Sequence, residues 1–188
     1  MLIEFKVENY RSIREEQVLS LVANSDKTLP ANVFSPKLPG IRQTQLLKGA
    51  AIYGANASGK SNLIKAISFV RNRVLVFEMG AILDSIIEGV EPYRLEPEYQ
   101  SKPSRFELTF VAEGIRYQYG FAVTTRRVME EYLIAFPKGK AQRWYQRKFD
   151  PKINDYKWGG SSSAFKLDQR LVERTRPTSL FLPIAATF

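Results

Sequence analysis

The chain has 188 residues, 44% of them hydrophobic, with no cysteine and no histidine. That composition supplies a core of ordinary size and excludes disulfides, thiolate nucleophiles, imidazole bases, Ser-His triads and nearly every zinc site. Twenty-eight lysines and arginines against 19 acidic residues set a net charge of +9, a field that attracts nucleotides, DNA or RNA, or that simply keeps a basic surface soluble.

At the start, Ile3, Phe5 and Val7 alternate with Glu4, Lys6 and Glu8, which predicts a half-buried strand. Charges interrupt this opening where a signal peptide would keep an apolar block, and no apolar run approaches the ~20 residues of a bilayer span. The expectation is a cytoplasmic protein that does not cross a membrane. "NYRSI" breaks the alternation and "QVLSLVA" resumes it, so the first two strands should form a hairpin-like pair. Residues 24–46, with Pro30, Pro36, Pro39 and Gly40, read as a loop.

"KGAAIYG" is nearly all apolar and predicts a short strand buried on both faces. Beyond the glycine loop that follows it, Leu63, Ile67, Val70, Val74 and Phe77 recur at spacings of three and four, the mark of one helical face. "AILDSIIEGV" could continue helically before Pro92, Pro97 and Pro103 impose turns. From Arg105 the period becomes two, through Phe106, Leu108 and Phe110, then Ile115 to Val123, then Val128 to Ile134, with turn residues in "AEG" and "PKGK". This predicts an antiparallel meander, with "AQRWYQRKF" as a further strand. "GGSSS" reads as a flexible loop and "FKLDQRLVERT" as a short helix. The apolar close "SLFLPIAATF" resembles a cut through a larger fold more than an exposed terminus.

The chemistry sits between the apolar run and the helix. Gly54-Ala55-Asn56-Ala57-Ser58-Gly59-Lys60-Ser61 has two glycines bracketing four residues, followed by Lys and Ser, the Walker A pattern. The glycines let successive amide N–H groups converge on phosphates, and the following helix adds its positive N-terminal dipole. Lys60 would neutralise the β and γ phosphates of ATP and is the candidate catalytic residue; Ser61 would offer its hydroxyl to Mg²⁺. Asn62 completes the candidate nucleotide-binding set. The competing reading is an ordinary glycine turn that caps a helix.

The filling of this loop, with Asn56 and Ser58, resembles that of ABC-type ATPases of the SMC and RecF kind, and "VENYRSI" at 7–13 resembles the segment that opens those proteins. The order of opening strands, P-loop and meander is similar to the N-terminal lobe of bacterial AAA-labelled, ABC-type ATPases, many of which act in phage defence and abortive infection. The resemblance spans nearly the whole chain, but its sharp motifs cover only residues 7–13 and 54–62. It implies a mixed α/β (α+β) fold: a P-loop core in residues 1–80, then an antiparallel β-subdomain and the start of a further lobe in residues 81–188, together the N-terminal part of a larger protein. It also implies ATP and Mg²⁺ as cofactors, self-association through the ATPase head, a possible effector protein as partner, and an approach of Arg11 to the nucleotide phosphates. Arg11 can equally be read as a surface arginine after a strand.

Two parts of such an ATPase have no candidate in the sequence. The Walker B carboxylates need a second buried strand, whereas "VLVFE" with Glu78 lies within the helix pattern and "AILD" with Asp84 is short, so both read as structural. No signature segment is present, and "AATF" offers Thr187 where the family carries a glutamine-bearing loop. The expectation is therefore a chain that binds ATP but hydrolyses it only as part of a full-length dimer. The rivals are a RecF- or SMC-like repair or chromosome ATPase and, from another class, a non-hydrolysing nucleic-acid-binding module. For the latter, Arg126, Arg127, Lys138, Lys140, Arg143, Arg147 and Lys148 interleave with Trp144 and Tyr145 and could track a phosphodiester backbone; the solvated face of a sheet is the favoured alternative.

Overall fold

The computed structural model describes residues 1–36, 44–75, 86–160 and 165–187. Phe77, Glu78 and Asp84, and most of "GGSSS", lie outside the described residues.

The alternation at the start does build a strand. β1 (Leu2–Glu8) buries Ile3, Phe5 and Val7 and turns Glu4, Lys6 and Glu8 outward. It pairs antiparallel with β2 (Gln17–Ser20), as the hairpin reading anticipates. Its other edge pairs antiparallel with β5 (Ser104–Ala112), about a hundred residues downstream, Phe5 facing Leu108 and Val7 facing Phe106. The meander continues through β6 (Ile115–Val123), β7 (Val128–Phe136), β8 (Gln142–Asp150) and β9 (Asp155–Gly159), giving one antiparallel sheet of order β2-β1-β5-β6-β7-β8-β9. Between β5 and β6 the turn takes positive φ at both Glu113 (50°) and Gly114 (74°), the hairpin geometry whose twist matches the strands and for which a glycine is the low-strain choice. The sequence reading missed β9, whose signal is the brief alternation of Tyr156 and Trp158 after a turn at Asn154.

One face of this sheet is covered by α1 (Lys60–Leu75) and α4 (Phe181–Thr187). Ala66, Phe69 and Val70 of α1 are its deepest residues, flanked by Leu63, Ile67 and Val74 of the anticipated stripe. The Phe69 ring lies 5.0 Å from that of Phe106 and 5.9 Å from that of Tyr10, which joins helix, sheet and opening hairpin in one aromatic core. Contacts of this kind add to the burial of large rings. The apolar close of the chain packs into the same core: Leu180, Phe181 and Ile184 are buried, with the Phe181 ring edge-on to Tyr145 at 4.8 Å. Asp168 accepts from the Arg170 amide to cap α3 (Gln169–Arg174), the short helix read from the sequence.

Three expectations are corrected. The segment 24–46 is not all loop: it holds β3 (Val33–Phe34), which pairs with β4 (Leu46–Leu47) at its end, with Leu46 fully buried. A four-residue helix, α2 (Pro97–Gln100), starts at a proline where turns alone were expected, because Pro is pre-set for a first helical turn. Most consequentially, the run before the phosphate loop is not a buried strand. Residues 50–54 have no sheet partner among the described residues, and Ile52 is 37% and Tyr53 89% exposed. A strand buried on both faces needs a neighbour at each edge and a layer on each side. The antiparallel sheet supplies neither, since its own edges are β2 and β9. No helix among the described residues is long and apolar enough to cross a membrane.

Candidate nucleotide site

The glycine loop leads directly into the longest helix. Its residues 54–58 are exposed, and α1 begins at Lys60, so the first-turn amides point back toward the loop. Ala57 has φ 63° and Gly59 φ 95°; the second is a conformation that a side chain would strain, which is why glycine occupies it. A Cβ at Gly54 would come within 2.9 Å of Ser58 Oγ, so a larger residue there would push the Ser58 hydroxyl aside. Lys60 folds back over the loop: its Nζ donates to the carbonyls of Gly54 (2.7 Å) and Ala55 (2.6 Å) and reaches Ser58 Oγ at 3.5 Å. Loop and helix are tied further by the Asn62 and Leu63 amides, which donate to Gly59 O. The ammonium and the loop amides are thus gathered at the head of a helix 16 residues long, with Ser61 exposed in its first turn. This donor set of amides, one ammonium and one hydroxyl suits a polyphosphate with Mg²⁺. Among the described residues, no group of three or more acidic side chains is placed to hold a metal.

The opening motif meets this loop by a route the sequence did not reveal. Asn9, buried and at φ 51°, donates through Nδ2 to the carbonyls of Tyr99 and Lys102 (both 2.9 Å) and accepts from the Tyr93 amide at 2.9 Å. Ser104 Oγ donates to the Asn9 carbonyl at 2.5 Å. Tyr10 is buried against Phe69 and Phe106 and exchanges backbone hydrogen bonds with Ile13. Between these anchors, Arg11 and Ser12 form the tip of a tight hairpin. The Arg11 guanidinium pairs with Glu91 at 2.5 Å, and its amide donates to Glu91 O. While Tyr10 packs on the middle of α1, Ser12 meets its first turn, accepting a hydrogen bond from Asn62 Nδ2 at 2.7 Å.

The basic, aromatic-interleaved stretch is divided between the two faces of the sheet. Tyr145 is fully buried beside Phe181, and Trp144 stacks on Phe165 at 5.6 Å, so these rings pack inside the protein. Arg147 also points inward and is fully buried with Glu131 of β7, its Nε donating to Oε2 at 2.9 Å. The same carboxylate accepts from Tyr119 OH (3.0 Å), Tyr145 OH (2.9 Å) and the amides of Phe181 (2.8 Å) and Leu182 (3.0 Å). Arg147 also donates to Ser179 O, leaves Nη1 without a hydrogen-bond partner, and lies 5.2 Å from the Tyr156 ring centroid. Burial first, and then the Glu131 charge, push the Tyr119 and Tyr145 hydroxyls well above the usual tyrosine range. This buried hub anchors α4 to the sheet.

The sequence model of the family described as "AAA domain, putative AbiEii toxin, Type IV TA system" matches residues 50–159, more than half of the chain. The match runs from the apolar stretch before the phosphate loop to the end of β9. No curated protein matches the chain.

Proposed function

Since the chain belongs to this AAA-domain family, we propose that residues 54–62 bind ATP with Mg²⁺, and that the chain is the N-terminal part of an ABC-type ATPase. The observation that carries the reading is Lys60: an ammonium at the head of a long helix, folded over a glycine loop whose carbonyls hold it. A turn that merely caps a helix has no need of a lysine in that place. In the bound state Lys60 and the loop amides would meet the phosphates and Ser61 would face Mg²⁺, which supplies charge neutralisation at the β and γ oxygens. The exposed run Ala50–Gly54 supports the ABC-type assignment, because it has the composition of a central strand and further strands would bury it. The family description names a toxin of a TA system, which agrees with a role in bacterial defence; a RecF- or SMC-like chromosome function is the nearest alternative.

Calorimetry with ATP·Mg²⁺ tests the site. The parent should bind, and Lys60→Ala should lose most of the affinity, because the phosphates lose their one positioned cation. Equal binding by the two proteins would reduce the loop to a helix cap. Holding a nucleotide is separate from hydrolysing it, since the rate comes from positioned water and charge stabilisation on the transferred group. These 188 residues should therefore release phosphate at little above background. Robust, Lys60-dependent turnover would place a catalytic carboxylate within them and overturn the division of labour.

A further inference from the structure

The sequence motif at the hairpin and the motif at the phosphate loop are joined by one polar contact, and we propose that Ser12 is a positioning residue for nucleotide binding. The inference rests on the reading of residues 54–62 as a nucleotide site and concerns what holds that site in shape.

The hairpin is built to keep its tip still. Asn9, Tyr10 and Ile13 are buried, while Arg11 and Ser12 between them project. The Asn9 amide holds the segment around Tyr99 and Lys102, the Tyr10 ring is wedged between Phe69 and Phe106, and Arg11 is fastened to Glu91. The tip is therefore referenced to the sheet and to residues 91–103 rather than to the loop it touches. From that base Ser12 Oγ accepts from Asn62 Nδ2 at 2.7 Å. It also lies so near the last glycine of the loop that a Cβ on Gly59 would come within 3.4 Å of it. Ser12 thus braces the loop–helix junction through one hydrogen bond, with its hydroxyl beside the last glycine of the loop.

The brace matters because the side-chain tie across the loop belongs to Lys60. In this structure the ammonium holds the Gly54 and Ala55 carbonyls; once it is drawn to a phosphate, those bonds weaken and the loop depends on what remains. The Ser12–Asn62 bond makes no use of Lys60 and continues to set the first turn of α1 against the sheet. Pre-organised amides bind an anion more tightly than amides that must first be ordered. Ser12 is exposed, so its removal should spare the fold.

The test combines affinity for ATP·Mg²⁺ with hydrogen exchange of the nucleotide-free protein. Ser12→Ala should weaken binding about two- to tenfold, the range for one lost hydrogen bond. It should speed amide exchange in residues 59–63 and lower the thermal midpoint by no more than about 6 °C. Ser12→Thr, which keeps the hydroxyl, should restore both readouts. Asn62→Ala, which alters the binding loop itself, should weaken binding at least as much as Ser12→Ala, and adding Ser12→Ala to it should cost nothing more, because both remove the same bond. The proposal falls if Ser12→Ala binds and exchanges like the parent, or if the two losses multiply. Should the parent itself fail to bind, or Lys60→Ala bind like the parent, the nucleotide reading falls and takes this inference with it.

Discussion

Replacing Glu131 by Gln removes the charge at the centre of the fold while keeping its shape. The native carboxylate accepts from Tyr119, Tyr145, Arg147 and the amides of Phe181 and Leu182. The amide nitrogen of Gln would face donors that need an acceptor, and Arg147, fully buried, would keep its charge without a counter-charge. Breaking a buried ion pair from one side costs about 3–5 kcal/mol. Whole-domain stability is typically about 5–15 kcal/mol, so the loss is a large share of the total. At roughly 2–4 °C per kcal/mol for a domain of this size, the melting temperature should fall by about 6–20 °C. Urea titration followed by far- and near-ultraviolet circular dichroism reads the loss directly. Pairing Glu131→Leu with Arg147→Met should be less damaging than Glu131→Leu alone, because no bare charge is then left inside. A loss below about 1 kcal/mol for Glu131→Gln, or no relief from the second change, would refute the account of the hub as a coupled charge pair.

Asn9→Ala should cost about 2–4 kcal/mol, since it leaves the Tyr99 and Lys102 carbonyls and the Tyr93 amide without their partner and puts alanine at φ 51°; denaturant midpoints would show it, and a neutral variant would mean that the hairpin base is not pinned there. Alkaline titration probes the two tyrosines of the hub. Their folded-state values are raised, so their stabilising share is complete below the unfolded value near about 10 and declines as pH rises past it. Two phenolates should therefore appear only together with unfolding; their ionisation in the folded protein near pH 10 would contradict the buried placement.

What the sequence by itself determined is what is local. Period-two alternation is enough to identify β1 and the meander, spacings of three and four identify α1, and the order of glycines, lysine and serine marks the loop proposed to hold nucleotide. Each of these patterns records whether one residue meets core or solvent, and that can be read without knowing its partner. Tertiary structure decided everything that depends on which residue meets which. β1 could be seen as a strand, but not its place between β2 and β5, because its pairing with Ser104–Ala112 is long-range. Glu130 and Glu131 look alike in the sequence; only the register of β7 turns the second inward, and only Tyr119, Tyr145, Arg147 and the start of α4 make its burial tolerable. The apolar run before the loop carried the composition of a central strand, but composition cannot supply the neighbouring strands that would bury it. Arg11 was the candidate read at the hairpin and Ser12 was not, yet chain geometry gave Arg11 to Glu91 and Ser12 to Asn62. Burial is a property of single residues and leaves a periodic trace in the chain, whereas pairing joins residues far apart along it and exists only once the fold has brought them together.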